Sequence, residues 1–212
     1  MKLYGYWRSS AAYRVRIALH LKNIEVESIP IHLVKDGGEQ HKTEYVDLNP
    51  THLVPTLVDG ELVLNQSLAI IEYLDNKFPI TPLYPHNYAE KALVQGLTLD
   101  IACEIHPVNN LRVQQYLVNE LHCDEQVKLQ WSHYWMDKGF AALEKKLAKT
   151  AGLYCFGDTI TMADLCLVPQ VYNANRFKLD MTSFPLINGI VERCNQLPAF
   201  IKSLPENQAD AM

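Results

Sequence analysis

The sequence has no CxxC pair among its five cysteines, Cys103, Cys123, Cys155, Cys166 and Cys194, and their number is odd. That argues against a disulfide framework or a zinc site and fits free thiols in a reducing cytoplasm. No apolar run approaches the ~20 residues a membrane-spanning helix needs. The first ten residues, MKLYGYWRSS, lack the apolar core of a signal peptide. No Lys/Arg block stands out and the formal net charge is −5, so nucleic acid is a poor partner. The histidines have no ligand spacing; His41 and His52, for example, form no metal motif, and no metal is expected. What remains is ordinary globular usage. The 212 residues are 48% hydrophobic and 20% charged, enough for a core without staples and for one large domain or two small ones.

The first half alternates short β-like runs with helical patterns. Residues 2–6 read as a strand. Ala12, Val15 and Leu19 at helical spacing predict a helix capped by Ser9 or Ser10, with Arg14, Arg16 and Lys22 on its other faces. Residues 25–33 predict a second strand, and 35–50 a polar loop with a short helix. Residues 55–64 read as a hairpin around Asp59-Gly60. A helix over 67–77 sets Leu68, Ile71, Leu74 and Phe78 on one stripe. This β-α-β-α-β-β-α order fits a thioredoxin-like layer whose sheet is mixed, because a hairpin cannot belong to a purely parallel sheet.

Residues 78–85 then carry three prolines in seven positions, a stiff linker. Helices are predicted over 88–105, 108–120, 124–149, 162–175 and 184–197, and a frayed tail over 205–212. Thr161 and Asp164 form a capping box, with Ile160 and Leu165 at the staple positions. Cys103, Cys155 and Cys166, among apolar neighbours, read as core fillers. The fold class is therefore two-domain α+β. Residues 1–80 form a thioredoxin-like domain, 81–87 the linker and 88–212 an all-helical domain.

A thioredoxin's dithiol would be expected at the first strand-to-helix turn, where this chain has Ser9-Ser10-Ala11-Ala12. Thiol chemistry there needs a thiol from outside. A hydroxyl at a helix N-terminus can donate to an anion that the helix field also favours. A charge-assisted hydrogen bond of ~1.5–3 kcal/mol and a helix terminus of ~0.3–1 kcal/mol together lower a thiol pKa of ~8.5 by about two units. Val54-Pro55, if cis, turns the Val54 backbone groups outward for β-like pairing with a peptide-like ligand. Gln66-Ser67, at the start of the next helix, suits a carboxylate. Each feature also has a plain structural reading, as a cap or a strand-leading proline. Together, in this order, they form a stronger signal.

These residues and their order resemble the zeta-class glutathione transferases. The resemblance runs through Arg8-Ser-Ser-Ala-Ala-Tyr-Arg-Val-Arg-Ile-Ala-Leu19, Asp36–Gln40, Asn49-Pro50, Val54–Leu57 and Asn65–Leu74. It continues in the helical half through Ile105–Leu111, Gly157–Gln170 and Asn173–Lys178. The class includes maleylacetoacetate isomerases of tyrosine and phenylalanine catabolism and the related maleylpyruvate isomerases. One position departs: the family often has Cys after the serine pair, where this chain has Ala11.

The resemblance implies a glutathione-dependent cis–trans isomerase. Glutathione supplies the nucleophile, and thiolate addition, bond rotation and elimination return it unchanged. Conjugating transferase activity is a possible companion, and a non-catalytic binding protein on the same fold is the alternative of another class. By the same resemblance, Ser9 or Ser10 activates the thiol. Gln40, Val54, Gln66, Ser67, His106 and Asn110 are the further glutathione contacts. Arg8 and Arg176, and less strongly Arg112, hold substrate carboxylates, because the guanidinium fork binds carboxylates bidentately. Tyr6, ahead of Tyr4 and Tyr13, is a rival thiol activator, and Asp164 belongs to folding. A cytoplasmic homodimer is expected.

Overall fold

The computed structural model describes residues 1–211, which divide into two compact units. The first is Met1–Pro82 joined by the C-terminal segment from Gln196; the second is Leu83–Asn195. The expected helical domain ran to 212, so the chain's last stretch belongs with the other unit.

In the first unit, strands β1 (Lys2–Gly5), β2 (Glu27–Pro30), β3 (Thr56–Asp59) and β4 (Leu62–Asn65) form one sheet in the order β2-β1-β3-β4. β1 pairs β2 in parallel and β3 antiparallel, and β3 pairs β4 antiparallel. The sheet is mixed, as the hairpin required. Asp59 pairs with Leu62, so the loop residues are Gly60-Glu61, one later than Asp59-Gly60. Gly60 sits at φ +62, a conformation that costs glycine nothing.

Helix α1 (Ser10–Leu21) is buried from Ala12 through Leu19. One face cannot account for eight consecutive buried residues; α1 is also covered by α3 (Ser67–Lys77) and α9 (Pro198–Ser203). The cations on its other faces are therefore inside. Arg16 donates to the carbonyls of Trp7 at 2.8 Å and Ser203 at 3.2 Å, and at 3.5 Å to that of Tyr6. The Lys22 ammonium, nearly buried, reaches Asp75 at 2.7 Å and the carbonyls of Phe78 and Thr81 at 2.9 and 2.7 Å. Three acceptors saturate its three N–H groups. On α3 the buried face is Ser67, Ile70, Ile71 and Leu74, shifted from the expected stripe. Helix α2 (Thr43–Val46) is the short helix of the 35–50 loop.

The expected frayed tail is ordered through its described residues. Pro205–Asn207 makes a helical turn, and Asp210 accepts the Trp7 backbone N–H at 3.0 Å. Covering α1 is what gives this tail a place to pack.

The second unit holds α4 (Tyr88–Leu99), α5 (Leu111–Asn119), α6 (Glu125–Thr150), α7 (Met162–Arg176) and α8 (Pro185–Cys194). The helix expected over 88–105 changes at Asp100 into a π-helical stretch, Asp100–Ile105, followed by a tight turn at Pro107–Asn109. Gly139 of α6 lies where an added Cβ would collide with Ile105, so α6 can approach that stretch only at glycine. The widened stretch leaves Cys103 exposed rather than in the core; Cys155, Cys166 and Cys194 are buried. The helix expected over 184–197 ends at Cys194, and Pro198 opens α9.

Helix α7 is almost wholly buried and begins at the predicted capping box. The buried Asp164 carboxylate accepts from the Thr161 N–H and hydroxyl at 2.8 and 3.0 Å and from the Cys155 N–H at 2.8 Å. Burial raises its pKa, and these hydrogen bonds act in the opposite direction. Burial likewise drives the Cys155 thiol well above its ordinary value. Neither cysteine nor carboxylate is poised for catalysis, which agrees with a folding role for Asp164.

Candidate functional site

The sheet's directions decide the geometry of the first unit. β1 and β4 each run antiparallel to β3, so they run parallel to each other. Helices α1 and α3, which follow them, therefore start at the same end of the sheet. Tyr4 pairs with Thr56 and Thr56 with Asn65, so β3 also begins at that end. Ser9-Ser10, Val54-Pro55 and Gln66-Ser67 are thus gathered from three separate sequence positions at one end of the sheet.

Ser9 is the N-cap of α1: its Oγ accepts the Ala12 N–H at 3.2 Å and its own N–H donates to Tyr6 O at 2.9 Å. A serine hydroxyl that accepts a cap bond still has its hydrogen to donate. Ser10 is the first helical residue, at the positive end of the helix. Arg8 lies over the Trp7 and Tyr6 rings, with its guanidinium carbon 5.3 and 5.9 Å from their centroids. The loop carrying these groups is fixed from behind, by Arg16 on the Tyr6 and Trp7 carbonyls and by Asp210 on the Trp7 N–H.

The Val54–Pro55 bond is cis, and Val54 packs in a cluster with Tyr6 and Tyr45. Tyr6, the rival activator, is 5% exposed there and meets the Trp7 and His32 rings edge-on. Tyr13 is buried at 1%, and Tyr4 lies against Tyr45. Tyr45 donates to the Leu53 carbonyl at 2.6 Å, and Asn49 donates to the same oxygen at 2.8 Å, so these two residues hold the turn before Val54. Burial raises the Tyr45 pKa.

Gln66 is exposed at φ +65 immediately before α3, and its side chain makes no cap. Ser67 is buried and accepts from Arg14 Nη1 at 3.2 Å. Gln40 is buried at 5%, with Nε2 on the Leu33 carbonyl at 3.2 Å and beside His41 Nε2 at 3.0 Å. Its amide braces the 33–41 loop. Its Oε1 has no hydrogen-bond partner among the described residues.

In the second unit, His106 follows the π-helical stretch, its N–H bonded to Ile101 O at 2.9 Å. Asn110 caps α5 by accepting the Val113 N–H at 3.2 Å. Arg112 is exposed on α5. Arg176, exposed at the end of α7, donates to Asn173 Oδ1 at 3.0 Å and lies 4.6 Å from the Phe177 ring centroid. Asn173 in turn donates to Asn109 Oδ1 at 2.8 Å. This link joins the Arg176 segment to the His106–Asn110 turn. Sequence reading missed Asn109, Asn173 and Arg14; burial is what marks them, and no local pattern displays it. Among the described residues, no cluster of three metal-ligating side chains exists and no helix is long and apolar enough to cross a membrane.

Residues 1–76 match the family model "Glutathione S-transferase, N-terminal domain" and 126–193 the model "Glutathione S-transferase, C-terminal domain". The chain is 56% identical over 209 residues to a probable maleylacetoacetate isomerase of Vibrio cholerae, covering 99% of this chain and 97% of that one. A solved structure of a bacterial zeta-class maleylpyruvate isomerase in its holo form superposes with a TM-score of 0.96 at 42% identity, covering both chains fully. A maleylacetoacetate isomerase from Methylobacterium extorquens AM1, solved with malonate and glutathione bound, superposes at 0.95 with 35% identity, again over both full chains.

Proposed function

Because the chain belongs to the glutathione S-transferase family, in the zeta-class branch with the maleylacetoacetate isomerases, we propose that it is a glutathione-dependent isomerase converting maleylacetoacetate to fumarylacetoacetate. The reading is carried by one observation: the sheet directions gather Ser9-Ser10, Val54-Pro55 and Gln66-Ser67 at one sheet end. These residues fit a thiol tripeptide. α1 offers hydroxyls at a helix N-terminus for the thiol, and α3 offers an uncapped N-terminus for a carboxylate. When bound, glutathione supplies the thiolate that adds to the cis double bond, allows rotation and leaves.

In this reading the Ser9 or Ser10 hydroxyl donates to the sulfur and holds it ionised near neutral pH. Gln66 and Ser67, with the Val54 backbone, orient the peptide. Gln40 is a further glutathione contact, with its Oε1 left without a partner in the 33–41 loop. Arg8 and Arg176 bind substrate carboxylates, with Arg112 as a further candidate; His106 and Asn110 are further glutathione contacts. Donors of this kind also stabilise the negative charge that develops on the substrate's carbonyl oxygen. The enzyme works as a homodimer in the cytoplasm, where its five free cysteines stay reduced.

Loss of the cis-enedione absorbance of maleylacetoacetate, with and without glutathione, tests the assignment. Turnover that requires glutathione and leaves it unconsumed supports it; absence of turnover despite glutathione binding overturns it. Maleylpyruvate is assayed in parallel, because a structural neighbour at TM-score 0.96 is an isomerase of that acid.

A further inference from the structure

Arg14 and Arg16 lie on the same helix and are 2% and 8% exposed. Arg16 is accounted for by its backbone carbonyls. Arg14 is not. Its hydrogen bond runs from Nη1 to Ser67 Oγ at 3.2 Å, and its Nε and Nη2 have no partner among the described residues. A guanidinium does not lose its proton in a protein, so a full positive charge is buried against one neutral acceptor. Burying an unpaired charge is expensive, and an apolar side chain of similar volume would fill the space more favourably.

A second, independent feature lies at the same point. Helix α3 begins at Ser67 with no side-chain cap and no acidic residue in its first turn, after Gln66 at φ +65 and ψ 114. Helix α1, by contrast, is capped by Ser9. The start of α3 thus combines backbone N–H groups without a side-chain cap, the positive end of an 11-residue helix and a buried cation, with no acidic residue in the first turn and no partner on Arg14 Nε or Nη2 among the described residues.

We propose that Arg14 is a positioning residue for a carboxylate of glutathione, acting through Ser67; this rests on the glutathione reading above. A guanidinium only donates, so Ser67 Oγ meets Arg14 with a lone pair and its hydroxyl hydrogen is left to donate outward. Arg14 therefore turns Ser67 into an oriented donor and adds a fixed positive field behind it. Arg14 itself stays out of contact with the ligand, since its unpartnered nitrogens are inaccessible.

The test is calorimetric titration of the full-length protein with three ligands. These are glutathione, γ-aminobutyryl-cysteinyl-glycine, which lacks the glutamyl α-carboxylate, and γ-glutamyl-cysteinyl-glycinamide, whose glycyl carboxylate is neutralised. Arg14→Met is expected to raise the Kd of glutathione about tenfold or more. For one of the two analogues the same substitution changes Kd by less than about twofold, because the group it acts on is already gone. Arg14→Lys, which keeps the charge and loses the fork, falls between parent and Arg14→Met and serves alone if Arg14→Met does not fold. Equal losses for all three ligands, or no loss for glutathione, overturn the role of Arg14 while leaving the glutathione reading intact. Failure of the parent protein to bind glutathione overturns both.

Discussion

Asn173 on α7 donates to Asn109 Oδ1 at 2.8 Å and accepts from Arg176 Nη2 at 3.0 Å, so one buried amide ties an exposed guanidinium to the turn that follows His106. An exposed arginine has many rotamers, and ordering one draws on side-chain entropy. If Arg176 binds a substrate carboxylate as proposed, Asn173 reduces that cost before substrate arrives. Asn173→Leu removes both bonds and is expected to raise the KM for the dicarboxylate substrate about tenfold. Calorimetric affinity for glutathione should hardly change. An equal loss in both measurements would show a general structural effect.

Ser9 has two duties that one substitution confounds. Ser9→Ala loses the α1 cap at about 0.5–2 kcal/mol, whereas glycine at an N-cap costs only a few tenths. Ser9→Gly should therefore melt close to the parent. If Ser9 is the thiol donor, Ser9→Gly still loses about tenfold or more in kcat/KM at neutral pH and recovers as rising pH ionises the thiol directly. Ser10→Ala run beside it assigns the donor. A large loss in Tyr6→Phe with both serine variants near normal would move the role to Tyr6.

Asp164→Ala strands the Thr161 and Cys155 N–H groups inside the second unit. Unmet buried donors cost about 1–3 kcal/mol each, so a loss of roughly 2–5 kcal/mol is expected in denaturant unfolding. Whatever protein remains folded should bind glutathione as the parent does.

Burial, and then the charges of Lys202 and Arg16, lower the pKa of His20. The folded state therefore binds this proton less readily than the unfolded chain, whose histidine keeps about 6.5. The stability His20 contributes is fully present above that value and is lost as pH falls through the lower folded value. Unfolding of His20→Gln should accordingly show a shallower loss of stability between about pH 7 and pH 5 than the parent. Identical slopes would refute the assignment.

Asp210 accepts the Trp7 N–H from the far end of the chain. Asp210→Ala should loosen the loop leading to Ser9, seen as faster amide exchange at Trp7 and Arg8 and a several-fold lower kcat/KM, with only about 1 kcal/mol lost in stability. Unchanged exchange at Trp7 would rule this out.

Elements were legible where their signals are local: in the first unit the turn at Asp59-Gly60 and the apolar spacing from Ala12 to Leu19, in the second the capping box at Thr161. Errors arose where packing decides. Cys103 has apolar neighbours in sequence, but it lies on a π-helical stretch that presents it to solvent. Arg14 and Arg16 point to different faces of α1, and each face is covered by a distant segment, Arg14 meeting Ser67 of α3 and Arg16 the Ser203 carbonyl of α9.

By itself the sequence determined the composition class, the mixed sheet, the caps and the residue types that a thiol peptide and an acidic substrate call for, because each depends on spacing within a few residues. Tertiary structure alone decided that Ser9, Val54 and Gln66 share one sheet end, that α9 covers α1 while the tail backs the loop before Ser9, and that a charge is buried behind Ser67. Strand direction and burial depend on segments far apart in the chain, and no local pattern encodes them.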